Sequence, residues 1–551
     1  MRPTSIQSAV IAVATLSGFW VARWLRRRRA ASKILDNIQG PKSKSFMAGN
    51  MAEVFNHDAW DFHQDIARQY GGLIRINALL GERHIYVFDP KALHQIMVKE
   101  QGDVFEETDS VLKGTRVSFG EGLLSSTGEQ HRKQRKMLNP VFSAAHLRAM
   151  VPIFFQVGKR LRDSLTLRVK NGTDEVDILL WMSRTALELV GQAGLGWTFD
   201  SLTTDEAPKY IKAFKQLGIA TSKPSMAILA LYVLPYVSEI GSPKFRRFMV
   251  NILPWKDLHL VRDVLDTLWA TAVQIYQTKK AALEAGDEAV TTQISKGKDI
   301  ISIMMKDNEN ASDSDRLSES EILGQLNVLV FAATDTTSSA LSRALHLLSE
   351  RQDIQDKLRA ELKEALENEQ ELTYEQLTNL PYLDAITRET LRLYPPVASM
   401  NRVAKKDAVL TLMTPITLAD GTVTTEVPIP AGTGIIISII NSNRNPELWG
   451  PDVLEWKPER WLEPLPDSVI NAKIPGVYSH LMTFNGGGRS CIGFKFSQLE
   501  MKVVLSLLVS RFRVSLSDKK ISWKMSNVAI PTLEGDKDSK PQMPIKLEII
   551  E

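Results

Sequence analysis

The chain has 551 residues, 44% hydrophobic and 24% charged, an ordinary globular balance that excludes wholesale disorder. Lys plus Arg number 67 against 64 Asp plus Glu, so the net charge of +3 gives no support for a nucleic-acid partner. The single cysteine, Cys491, excludes an intrachain disulfide and any multi-cysteine zinc or iron–sulfur centre, leaving one thiol as a nucleophile or a lone metal ligand.

Ile6 to Leu25 carries one charge, Arg23, and is followed by Arg26-Arg27-Arg28-Arg29. A membrane span needs about 20 residues. Trp20 and Trp24 suit the interfacial end, and the arginine block predicts that everything after it lies on the cytosolic side. Residues 1–30 are therefore expected to be an uncleaved anchor with its basic stop, and 31–41 a polar linker ending at Gly40-Pro41. Length alone predicts three or four domains. No repeat, low-complexity run or second linker divides 42–551, however, so that stretch reads as one body.

Leu73 to Phe88 holds two short apolar runs around Gly81-Glu82, a hairpin signal. Met226–Val237 (MAILALYVLPYV) is strongly apolar and interrupted by Pro235; it reads as core or as a second membrane contact. Ser318 and Glu321 form a capping box before a long apolar stretch, predicting a helix from about Ser318 to Glu350, roughly 50 Å long. A second helix is expected from about Tyr382 to Leu393, stopped by Pro395-Pro396. A third is expected from about Ile492 to Leu508. Val409–Ile440, rich in Thr, Val and Ile with Gly and Pro breaks, reads as short strands. The expected fold class is mainly α with a smaller β part (α+β).

The cysteine stands in Phe484-Asn485-Gly486-Gly487-Gly488-Arg489-Ser490-Cys491-Ile492-Gly493. Three successive glycines allow positive φ and close backbone approach to a flat group. A cysteine just before a helix is where amides and dipole favour a thiolate. This loop resembles the F-x-x-G-x-R-x-C-x-G signature of the cytochrome P-450 superfamily. The resemblance implies haem b with Cys491 as the axial iron ligand, and a thiolate there favours O–O cleavage. By the same resemblance Phe484 and Gly493 are expected to frame the cofactor, and Arg489 to pair with a propionate.

Other segments agree with that family in order along the chain. Glu389 and Arg392 lie three apart on one helix face, and Arg460 stands in Pro458-Glu459-Arg460-Trp461. By resemblance these three form a buried charge network. Phe331-Ala332-Ala333-Thr334-Asp335-Thr336-Thr337 is similar to the family's A-G-x-D/E-T motif, with Ala333 in place of glycine. The resemblance assigns Asp335 and Thr336 to proton delivery, which reduction of one oxygen atom to water requires. Gly128 to Arg135 resembles the W-x-x-x-R helix with His131 in place of Trp, so His131 and Arg135 are expected to hold a propionate, as is Arg402. Family-matched pocket positions are Val111, Leu112, Phe119, Leu124, Phe331, Ala332, Val397, Ala398, Val528 and Ile530. All are apolar, which points to a lipophilic substrate.

No His-Glu-x-x-His pattern or Walker loop is present, and Gly191-x-x-Gly194-x-Gly196 has the wrong order for a dinucleotide fingerprint. NADPH and flavins are thus expected only on a partner, an NADPH–cytochrome reductase, with Arg132, Lys133 and Lys136 as a basic face for it. The pattern HRKQRKMLNPVFS looks most like membrane-bound fungal members, many of which decorate secondary metabolites such as terpenoids. The expected activity is haem-thiolate monooxygenation at the endoplasmic reticulum membrane, in a single-pass protein with a cytosolic catalytic domain. Two other readings stay open: a haem-thiolate isomerase or dehydratase acting on hydroperoxides without a reductase, and a non-catalytic haem sensor.

Overall fold

A computed structural model describes residues 33–200, 202, 209–221, 223–286, 289, 294–367, 371–536 and 540–550. The Ile6–Leu25 span and its arginine block lie outside these. Among the described residues no single helix is long and apolar enough to cross a membrane.

The sheet side begins with the expected hairpin. Strands β1 (Leu73–Asn77) and β2 (Arg83–Val87) pair antiparallel, with Leu73 opposite Val87 and Asn77 opposite Arg83. The turn between them places Leu80 and Gly81 at positive φ. β3 (Phe105–Glu106), β4 (Ser399–Ala404) and the hairpin of β5 (Ala408–Thr417) with β6 (Val423–Ile429) follow, then β7 (Gly434–Ser438). The main sheet has the order β1-β2-β7-β4-β3, with β2 and β7 parallel. The stretch expected as strands therefore ends early: Ile439–Asn443 is already helical, capped by the Ser438 side chain.

The helical side holds α1 (Asp109–Phe119), α2 (Gly128–Leu138), α3 (Ala144–Lys170), α4 (Ile178–Leu189), α5 (Glu319–Glu350), α6 (Pro381–Leu393) and α7 (Phe494–Arg511). The capping box before α5 is present as read, with the Ser318 hydroxyl accepting the Glu321 N–H and the Glu321 carboxylate accepting the Ser318 N–H. At 32 residues, α5 is about 48 Å long and is the axis of the molecule. It is buried on most faces because α4, α7 and the Lys256–Ala285 helix all pack against it. α7 starts at Phe494, two residues later than expected, since Cys491 to Gly493 form the turn into it. It lies on α3, where Phe154 and Phe496 stack edge to face at 4.8 Å between centroids.

Candidate active site

A cavity of about 360 Å³ lies between α5, α1, α2 and the cysteine loop. Eight residues of α5 line it: Gln325, Val328, Leu329, Ala332, Ala333, Thr336, Thr337 and Ala340. Their spacing of three and four is one face of a helix. The other walls include Phe484, Arg489, Ser490, Cys491, Ile492 and Gly493 from the cysteine loop.

The loop is shaped by neighbouring backbone. Gly487 has φ +66°, and a Cβ there would lie 1.8 Å from the Met97 carbonyl oxygen. A Cβ on Gly486 would lie 2.2 Å from the Pro475 carbonyl oxygen. Two of the three glycines are thus required by protein contacts, and only Gly487 uses positive φ. The Cys491 N–H donates to the Phe484 carbonyl at 2.8 Å, closing the loop. Arg135 ties it to α2, donating to the Ser490 carbonyl at 2.6 Å and the Ser490 hydroxyl at 3.0 Å.

Cys491 has exposed surface at the cavity wall, in surroundings packed closely enough that burial pushes its thiol pKa up. The Gly493 N–H and the Arg135 charge pull the other way and do not overcome it. The expected thiolate is therefore not secured by the helix start alone. A cation bound to the sulfur shifts that balance, because coordination removes the thiol proton.

The three arginines and one histidine expected around a propionate occupy distinct settings. Arg402 is 1% exposed; its Nη1 donates to Glu107 Oε2 at 2.7 Å, while its Nε and Nη2 are buried without partners. Arg489 pairs with Glu106 at 3.2 Å and donates to the Ser126 carbonyl at 2.7 Å. Arg135 is committed to Ser490, as above. His131 lines the cavity, and burial together with the Arg489 and Arg135 charges pushes its pKa down to about 4, leaving a neutral ring. Glu106 and Glu107 escaped the sequence reading, because adjacent acids at the end of a two-residue strand carry no signal until β3 meets β4.

Glu389, Arg392 and Arg460 are brought together. Arg392 Nε and Nη2 each donate to Glu389 at 2.8 Å, and both residues are 0% exposed. Arg460 reaches Glu389 at 3.4 Å. The Trp461 indole N–H donates to Glu389 at 2.9 Å, and Asp452 accepts from Arg460 at 2.9 Å. Arg392 also donates to the Val453 carbonyl at 2.9 Å, which joins α6 to the segment before the cysteine loop.

Thr336 lines the cavity and donates its hydroxyl to the Ala332 carbonyl at 2.7 Å. Asp335, one residue earlier, is half-buried and outside the lining. Of the expected pocket residues, Val111, Leu124, Ala332 and Val397 line the cavity. Leu112, Phe119, Phe331, Ala398, Val528 and Ile530 do not. Phe119 and Phe331 stack on each other at 4.3 Å, and Ala398 packs with Ala59, Ile440 and Met525, so these are core contacts. The basic face of α2 is partly neutralised: Lys136 pairs with Asp315 at 2.8 Å and Arg132 with Glu129 at 3.7 Å.

The residues fit a haem on this chain's own geometry. The cavity opens on a lone cysteine, and two orphaned guanidinium donors on Arg402 lie beside its Glu107 wall. Among the described residues no cluster of three or more His, Cys, Asp or Glu offers a competing metal site.

The comparisons with known proteins agree. The Cytochrome P-450 family model matches residues 39–536. The chain is 50% identical over 531 residues to cytochrome P-450 monooxygenase 91 of Postia placenta, covering 96% of each chain. It is 46% identical over 538 residues to monooxygenase 212 of the same fungus, covering 97% of each. To the ganoderic acid synthetase of Ganoderma lucidum it is 40% identical over 547 residues, 98% of this chain and 99% of the relative. The haem b that the site fits is the family's cofactor, and the chain belongs to the cytochrome P-450 family as a monooxygenase of the oxidoreductase class.

Proposed function

We propose that this protein is a membrane-anchored haem-thiolate monooxygenase that inserts one atom of dioxygen into a lipophilic small molecule of the terpenoid class, drawing electrons from NADPH through a partner reductase. The observation that carries the reading is one apolar cavity lined both by Cys491 and by Thr336. The ganoderic acid synthetase similarity supports a terpenoid-like substrate.

Cys491 would ligate the iron, and Arg402, Arg489 and His131 would hold the propionate edge. Bound there, the haem supplies activation of dioxygen for insertion into a carbon–hydrogen bond. The chain's own work is positioning and proton supply. The Val328, Leu329, Ala332 and Ala333 side chains keep water from the α5 face. Thr336 donates its hydroxyl proton to Ala332 O, which leaves its oxygen, on the cavity wall, able to accept from a proton-carrying group. Asp335 is the acid beside it, the source that refills such a relay.

The membrane reading draws support from a second apolar surface. Between Pro224 and Leu253 the side chains of Ile228, Tyr236, Ile240, Phe248 and Ile252 stand exposed, Tyr236 to 77%. Lys113 of α1 donates to the Pro235 carbonyl at 2.8 Å, so this surface is tied to a helix that lines the cavity. A lipophile leaving a bilayer would meet the cavity there. The single-pass endoplasmic reticulum placement and the domain limits 1–30, 31–41 and 42–551 belong to the same proposal.

The test is reconstitution with an NADPH–cytochrome reductase, candidate terpenoids and labelled dioxygen, followed by mass detection. One labelled oxygen per product, abolished by Cys491→Ser, is expected. Turnover of hydroperoxides without reductase, with no label incorporated, would overturn the reading.

A further inference from the structure

One side chain on the α5 stripe differs from the rest. Gln325 is 0% exposed and lines the cavity at the end of the stripe away from Thr336. Its Oε1 accepts the Leu123 backbone N–H at 3.2 Å. Only the amide oxygen can accept that bond, so the orientation of the amide is determined. Its Nε2, with two N–H donors, is buried without a partner. A buried donor left unpaired costs free energy, so the position is built for an acceptor.

The backbone around Gln325 explains why the amide is held. A Cβ on Gly324 would lie 2.5 Å from the Gly122 nitrogen, and one on Gly122 would lie 2.7 Å from the Gly324 carbonyl oxygen. The two glycines let the loop before α2 press onto α5, which brings the Leu123 N–H to Gln325. Several other polar groups on the walls have partners, and the buried Asn485 Oδ1, which has none, is an acceptor and not a donor. Thr115 donates to the Val111 carbonyl at 2.7 Å, and Arg135, Arg489 and Thr336 have the partners given above.

Gln325 and Thr336 are eleven residues apart. Eleven residues make three helical turns and return to the same face, about 16 Å further along the axis. Between them lie only Val328, Leu329, Ala332 and Ala333 on the lining. We infer that Gln325 is the polar anchor of the substrate pocket, and that the substrate is an elongated lipophile with a hydrogen-bond-accepting oxygen, such as a carbonyl, at the end remote from the carbon attacked. This rests on the monooxygenase reading and adds the substrate's shape and polarity to it.

The test reads binding without turnover. The full-length, haem-loaded protein is titrated with 1-alkylimidazoles whose chains bracket about 16 Å, ending either in a methyl group or in a methyl ketone. The imidazole nitrogen binds ferric haem and shifts its absorbance whatever the tail. The ketone is expected to bind about tenfold more tightly than its methyl partner at one chain length. That advantage should disappear in Gln325→Leu and in Gln325→Glu, the second of which keeps an acceptor for the Leu123 N–H. A ketone advantage at no length, or one that persists in both variants, overturns the anchor alone. Absence of any imidazole shift overturns the haem reading and the anchor with it.

Discussion

Arg135, in the last turn of α2, holds Ser490, the residue before Cys491, by two hydrogen bonds of 2.6 and 3.0 Å. A helix distant in sequence therefore sets the height of the cysteine loop. Arg135→Leu should remove both bonds, destabilise the protein by about 2 kcal/mol and lower haem content. Arg135→Lys should recover part of the loss, since it keeps the charge without the fork. Haem-to-protein absorbance ratio and thermal melting of the two variants check this.

The Glu389–Arg392 pair is fully buried and bidentate. Removing one partner strands the other charge in the core, so Glu389→Gln and Arg392→Ala should each cost about 3–5 kcal/mol. Both are expected as poorly folded, haem-poor protein. Denaturant titration gives the magnitude, and wild-type haem content in Arg392→Ala would contradict it.

Gly487 offers a purely steric test. Gly487→Ala must place a methyl group against the Met97 carbonyl and hold an alanine at φ +66°. A loss of more than ~2 kcal/mol is expected, together with a weaker ferrous carbon monoxide band, while Gly488→Ala, which meets only the end of the Gln101 side chain, should be mild.

His63 predicts acid sensitivity away from the site. Its Nε2–H donates to the Val54 carbonyl at 3.0 Å, its Nδ1 lies 2.7 Å from the Tyr86 hydroxyl, and burial pushes its pKa down to about 4. The folded ring stays neutral between pH 6.5 and 4, while the unfolded ring takes up a proton there. Stability should therefore fall as pH drops through that window, by about 3 kcal/mol for this one group, and level off below it. His131 and His346, also pushed down to about 4, add to the same slope. Unfolding free energy measured against pH should show a flatter slope in His63→Gln.

Thr336→Val keeps shape at the cavity wall and removes the hydroxyl. NADPH consumption should continue while product per NADPH falls several-fold and hydrogen peroxide rises, because proton supply is lost and binding is not. A reconstituted assay that measures all three quantities decides it; unchanged coupling would count against the proton role.

The local grammar of the chain was enough to place its main parts. The Ser318–Glu321 capping box and the apolar stretch after it encode α5 almost to the residue, because capping and periodicity are local properties. Pro395-Pro396 stops α6 for the same reason, although the helix begins at Pro381, one residue earlier than expected. Cys491 was singled out because it is the one thiol and its glycine loop resembles the family signature, and the fold puts it on the cavity wall. Tertiary packing decided what no local pattern carries. Four of the ten apolar pocket candidates line the cavity and six do not, since an apolar side chain does not announce which neighbour it will meet. The partners of Arg402 and Arg489, Glu107 and Glu106, lie about 300 or more residues away along the chain and meet them only when β3 pairs with β4 and the cysteine loop folds over both. Gln325 likewise reads as an ordinary polar helix residue until two glycines let a loop close over it and leave its amide donors buried. Helices and motifs follow from short-range chemistry, whereas which polar groups end up satisfied depends on contacts that only the folded chain creates.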